Sequence, residues 1–344
     1  MSQSGLLTVS PSPHVHTALT VKQIMWRVVI AMIPALLISV YNFGISALII
    51  TMMAVLFCAI TEYVIVRYLL HQEVTLFDGS AVITGMLLAF NVPTNLPLYI
   101  LLIGAVVSVG IGKLSFGGLG NNPFNPALVG RVFLLISFPV EMTTWPVPGG
   151  LLAGIDAVTG ATPLGLLKYG LRSGMAVPEI MTELPSHLSM FVGMQSGSLG
   201  EMSGLAMLIG LVFMLQQKVI TWHVPITVIV SVFVFSAVFW FINPSLYADP
   251  MFHVLSGGVM LGAVFMATDY VTSPVSHRGM IIFGLGIGFF TVLIRLFGGY
   301  PEGISFAILI MNAFVPLINK YVKQHRYGTG RRATFEPMDN QLVS

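Results

Sequence analysis

Asp156, Thr159, Gly160, Ala161 and Thr162 bring a carboxylate and two hydroxyls together with small residues. They fall in Asp156-Ala157-Val158-Thr159-Gly160-Ala161-Thr162, inside the one long polar interruption of an otherwise apolar sequence. A hydroxyl flanked by small residues is open to an enzyme that attaches a phosphate-linked group. Gly160 and Ala161 supply the small flank, and Pro163 biases Thr162 toward extended backbone. Asp156, six residues upstream, could orient the hydroxyl or a metal-bound phosphate donor. At average residue frequencies this pattern arises by chance in roughly one chain in a thousand. Spacing alone therefore leaves a second reading open, a glycine-containing turn with threonine as helix cap.

Glu62, Asp269 and Arg131 are ionisable residues inside or at the ends of apolar segments, where charge is costly and functional by default. Glu62 and Asp269 are candidates for an ion path; the competing reading has Glu62 paired with Arg67 or reaching the interface. Arg131 is expected to meet a carboxylate or backbone carbonyls rather than a ligand. Asn121, Asn122 and Asn125, with Pro123 and Pro126, precede a short apolar run. Capping is the simpler role for them, ligand binding the other. Gly284, Gly286 and Gly288 are read as close helix packing, because no strand precedes them as a dinucleotide fingerprint requires. The single cysteine, Cys58, excludes an internal disulfide and a paired-cysteine metal site. His14 and His16 lack further ligands, no phosphate-binding Walker motif is present, and the 20 Met read as packing.

The elements that position these residues are membrane helices. Of 344 residues 56% are hydrophobic and 8% charged, against roughly 25% charged in a soluble domain. Such a chain is expected to be an integral all-α protein in the lipid bilayer, and its scattered basic residues give no reason to expect nucleic acid. Windows 28–61, 79–112 and 219–248 contain no Asp, Glu, Lys or Arg, and each holds a turn signal. About ten segments follow: 23–42, 45–68, 78–91, 97–114, 126–139, 203–219, 224–242, 252–268, 279–297 and 303–322. Runs 78–91 and 126–139 are too short for a roughly 30 Å core and read as broken or half helices. Residues 1–20 are polar and lack a cleavage pattern, so the first helix is expected to direct insertion.

With the N-terminus inside, Lys22, Arg27, Arg67, Lys113, Lys218 and Arg278 fall at cytoplasmic ends, together with the basic tail. Both termini are then cytoplasmic and Thr162 lies outside. Residues 80–87 resemble 257–264, and Lys113-Leu114-Ser115-Phe116-Gly117-Gly118 resembles Arg295-Leu296-Phe297-Gly298-Gly299, at an offset near 180. Two five-helix repeats of opposite orientation are expected. The divisions are a tail 1–22, a repeat 23–139, an extracytoplasmic loop 140–202, a repeat 203–322 and a tail 323–344.

The motif ending at Thr162 resembles a flavinylation signal, whose last threonine receives FMN through a phosphoester bond from a dedicated flavin transferase. Residues 116–131, Phe116-Gly117-Gly118-Leu119-Gly120-Asn121-Asn122-Pro123-Phe124-Asn125-Pro126-Ala127-Leu128-Val129-Gly130-Arg131, resemble a signature of one membrane family, as does Phe265-Met266-Ala267-Thr268-Asp269. That family is RnfD/NqrB, which comprises membrane subunits of the Rnf electron-transport complex and of its sister, the sodium-pumping NADH:quinone reductase. Thr159 to Leu164 and the short N-terminal extension look like the Rnf branch. The resemblance covers nearly the whole chain. It implies a redox-driven translocase subunit in the bacterial inner membrane, moving Na⁺ or H⁺ as electrons pass between ferredoxin and NAD. It implies covalent FMN on Thr162, a non-covalent riboflavin, and flavin and iron–sulfur subunits as partners. Glu62 and Asp269 match acidic positions associated with ion uptake. The rival readings are a channel or secondary transporter without redox role, which broken helices suit equally, and a structural anchor for redox partners.

Overall fold

Apolar runs this long must satisfy their backbone groups internally, and helices are the result. A computed structural model describes residues 20–73, 76–150, 159–193 and 195–323. Helix α1 (Val21–Phe43) begins at a capping box in which the Thr20 hydroxyl accepts from the Gln23 N–H and the Gln23 amide oxygen accepts from the Thr20 N–H. Gly44, at φ 64°, turns the chain directly into α2 (Ile45–Val64), which a π-helical turn continues (Ile65–Leu69). There follow α3 (Ser80–Ala89), α4 (Leu98–Val106, continued by a π turn Val107–Ile111), α5 (Pro126–Ser137) and α6 (Pro139–Thr143). Strands β1 (Trp145–Pro146) and β2 (Thr159–Gly160) pair antiparallel, Trp145 opposite Gly160. Helices α7 (Pro163–Arg172), α8 (Val177–Glu183) and α9 (His187–Val192) complete the loop. The second half holds α10 (Gly204–Gln216), α11 (His223–Ile242), α12 (Pro250–Leu255), α13 (Val259–Leu261, continued by a π turn Gly262–Met266), α14 (His277–Phe297) and α15 (Ile304–Tyr321).

Among the described residues six helices are long and apolar enough to cross a membrane: α1, α2, α4, α11, α14 and α15. Helices α3, α5 and α10 are apolar but shorter. The chain is thus an all-α multi-pass membrane protein, although length alone supports six crossings rather than ten. The segment expected at 252–268 is not one helix. Ser256, Gly257 and Gly258 interrupt it between α12 and α13, with Gly257 at φ 63°.

The two halves present matching elements. His223 opens α11 178 positions after Ile45 opens α2, and Ile304 opens α15 178 positions after Pro126 opens α5. Helix α2 packs against α3 and α4, and α11 packs against α14 and the π turn that continues α13. Small residues allow close approach. A Cβ on Gly85 would stand 2.5 Å from the Val55 Cα, and one on Gly284 would stand 2.8 Å from the Thr227 Cβ. The loop 140–202 has an apolar cluster of its own, in which Leu164, Leu167 and Ile180 pack with Phe252 of α12.

Candidate functional site

Thr162 is extended, at φ −66° and ψ 155°, as a residue before proline should be, and it is the N-cap of α7. Its hydroxyl accepts from the Gly165 N–H at 3.1 Å. Ala161 is exposed, but Thr162 is only 6% exposed, so its hydroxyl is less open than its small neighbours suggest. Gly160 is spent on the hairpin, where a Cβ would come within 2.7 Å of Val147. Thr159 lies in β2, and Asp156 lies outside the described residues.

The Thr162 side chain borders a cavity of about 130 Å³ walled by Trp145, Tyr300, Leu135, Arg131 and Glu302. This cavity is smaller than the roughly 300–1,000 Å³ of a site enclosing a whole drug-sized ligand, so it suits the attachment end of one. The residues fit a phosphate-linked aromatic group on three counts. A helix N-terminus favours an anion, aromatic rings form part of the wall, and the Nε of buried Arg131 has no hydrogen-bond partner among the described residues. The cap uses the Thr162 oxygen only as acceptor, so its proton is free to be replaced. Lys168, two turns along α7, donates to the carbonyls of Gly298 (2.5 Å) and Tyr300 (2.9 Å) and pins the loop helix to the α14–α15 connection. Burial, and then neighbouring Arg172, hold the Lys168 pKa below the usual lysine value.

Behind this cavity is a buried charge cluster that the sequence only half reveals. Arg131 pairs with Glu302 and also donates to Asn91 and Ser305. Glu201 stands 3.7 Å from the same guanidinium. Arg295 donates to the carbonyls of His253 (2.5 Å) and Ser256 (2.8 Å). Sequence reasoning misses Glu201, Glu302, Arg295 and His253 as members of one cluster. The signal available was Arg295 within an apolar run, matched to Lys113 by the repeat.

The other two candidate residues lie at the far end of α14. Asp269 is in the turn after α13, before His277 opens α14, whereas Arg295 is near its close. Eighteen residues of helix separate those ends by about 27 Å. Glu62 does not pair with Arg67, the partner nearest in sequence. Its two oxygens accept from Lys113 Nζ, each at 2.8 Å, and Lys113 also donates to the Ser80 hydroxyl at 2.7 Å. Lys113, expected among interfacial charges, is 2% exposed, and Glu62 is 5% exposed. Asp269 accepts from the Val271 N–H and the Thr272 hydroxyl. Lys113, Ser80, Asn122 and Asp269 line one cavity of about 90 Å³. The structure thus brings Lys113 and Asp269 to one cavity, with Glu62 behind Lys113, and sets Thr162 apart from them. Asn125 caps α5 through the N–H groups of Ala127 and Leu128 and also donates to the Met266 carbonyl.

The family model for NQR2, RnfD and RnfE matches residues 8–328. The chain is 44% identical over 324 residues to the subunit lettered D in the Na⁺-translocating ferredoxin:NAD⁺ oxidoreductase complex of Acetobacterium woodii, covering 94% of this chain and 95% of that one. It is 41% identical over 329 residues to the corresponding subunit of the proton-translocating complex of Clostridium ljungdahlii, covering 96% and 98%. It is 39% identical over 350 residues to the corresponding subunit of the ion-translocating oxidoreductase complex of Escherichia fergusonii, covering 93% and 98%.

Proposed function

The chain belongs to the NQR2, RnfD, RnfE family, and from that premise we propose that it is the RnfD membrane subunit of an ion-translocating ferredoxin:NAD oxidoreductase complex. It works as part of a redox-driven translocase, beside flavin and iron–sulfur subunits of the same complex. It lies in the bacterial inner membrane with both termini cytoplasmic and the Thr162 loop outside. FMN is esterified to Thr162 by a flavin transferase. A non-covalent riboflavin belongs to the proposal without an assigned residue.

The observation that carries the flavin reading is the position of Thr162, a helix N-cap beside a cavity with aromatic walls and a buried guanidinium. Bound FMN would supply one- and two-electron transfer. The protein's part is to hold and surround it. The α7 N-terminus favours the phosphodiester charge. Lys168 keeps α7 docked on the bundle. Arg131, fixed by Glu302, Asn91 and Ser305, presents a rigid guanidinium fork at the cavity wall. Glu62 and Asp269 serve the ion at the opposite end of the bundle.

The test is in-gel fluorescence under ultraviolet light of the chain matured with its transferase. The parent should fluoresce after denaturation, and Thr162→Ala should insert and assemble without fluorescing. Full electron transfer in an assembled Thr162→Ala complex would favour the structural-anchor reading instead.

A further inference from the structure

Lys113 and Arg295 occupy equivalent places in the two halves, and their surroundings differ in one telling respect. Lys113 directly follows α4 and its π turn, Arg295 lies in the last turn of α14, and each reaches the break before a short helix. Gly79, at φ 88°, precedes α3, and Gly257, at φ 63°, precedes α13. Arg295 is held by two backbone carbonyls, which would be orphaned in the core if it moved. Lys113 is held by side chains alone, the Glu62 carboxylate and the Ser80 hydroxyl. A lysine is also a compact charge on a flexible stem, whereas guanidinium is a rigid fork.

We propose that Glu62 and Ser80 form a monovalent-cation site, and that the Lys113 ammonium is its tethered occupant, displaced by the transported ion. Three oxygens at 2.7 and 2.8 Å already coordinate a single positive charge there. An incoming cation replaces one positive charge by another, so Glu62 is never left buried and unpaired, which is the costly state. The displaced ammonium has a destination, because Lys113 lines the same cavity as Asp269, a carboxylate held by a backbone N–H and a hydroxyl rather than by a cation. Lys113 is thus a positioning residue that admits the ion by leaving. The inference rests on the reading that this subunit moves a cation.

The experiment uses the whole complex in sealed vesicles and measures electron transfer and ion movement together, in sodium medium and in sodium-free choline medium. Lys113→Arg keeps the charge and the fold but fixes it by bidentate pairing with Glu62. It should keep electron transfer while ion movement per electron falls roughly tenfold or more, in whichever medium the parent pumps. Lys113→Met empties the site. If the parent pumps in sodium medium only, equilibrium binding of radioactive sodium to the resting complex should tighten by about 10²-fold, the scale of removing one partner of a buried charge pair. If the parent also acidifies in choline, the ion is a proton, and Lys113→Met should transfer electrons without acidification. Parent-level coupling in Lys113→Arg, or in an assembled Lys113→Met, would overturn the proposal. A parent complex that transfers electrons but moves no ion would instead sink the translocase reading itself.

Discussion

Arg131, on α5, donates to the carboxylate of Glu302 at the head of α15, although 171 positions separate them. The pair joins the last helix of one half to the last helix of the other. It also forms part of the wall beside Thr162.

Breaking that pair should cost heavily. Both side chains are buried, and removing one partner of a buried ion pair costs about 3–5 kcal/mol. Arg131→Ala should lower the thermal unfolding temperature of the purified complex by several degrees. Replacing both, as Arg131→Met with Glu302→Gln, should recover part of the loss. Equal stability of Arg131→Ala and parent would mean that the pair does not join the halves.

Close helix packing predicts a sharp contrast between two glycines. In Gly85→Val the new Cβ meets the Val55 backbone, which cannot yield as a side-chain end can. Overpacking of this kind costs about 1–3 kcal/mol or more, so the subunit should accumulate poorly in membranes. Gly299 has nothing within 4 Å of its Cβ position, and Gly299→Ala should stay within about 0.5 kcal/mol of the parent. Similar accumulation of both variants would contradict the packing.

Asn125 performs two tasks that substitution can separate. Its oxygen caps α5, and its amide nitrogen reaches the Met266 carbonyl at 3.2 Å. Asn125→Ala loses both, at about 1 kcal/mol for the cap and about 1–3 kcal/mol for the orphaned carbonyl. Asn125→Ser keeps the cap alone and should fall between Ala and parent in thermal unfolding. A Ser variant no better than Ala would show that the cap contributes little.

Lys168 fastens α7, and with it Thr162, to the α14–α15 connection. Lys168→Met removes two hydrogen bonds to carbonyls while keeping the stem. Protease added to sealed vesicles from the side of loop 140–202 should cut that loop faster than in the parent. Unchanged cleavage would mean that α7 is held by its apolar contacts alone.

Much of this arrangement was legible in the chain. Charge-free windows and turn signals locate the long helices, because period and length are local properties. The cap role of Asn125 was readable for the same reason. The partner of Glu62 was not. Arg67 lies close in sequence, whereas Lys113, 51 positions away, meets Glu62 only once α2 and α4 pack. Arg131 was expected to find a carboxylate, but nothing local pointed to Glu302. The β1–β2 hairpin went unseen because two-residue strands carry no alternation. The split at Ser256-Gly257-Gly258 was visible as a small-residue break inside an apolar run, and the apolar count outweighed it.

The most direct measurement is intact mass of the mature chain, purified with its transferase present. The parent should exceed its sequence mass by one FMN less one water, Thr162→Ser should carry the same increment, and Thr162→Ala should match its sequence mass. A parent without the increment, or a Thr162→Ala chain that retains it, would contradict the account.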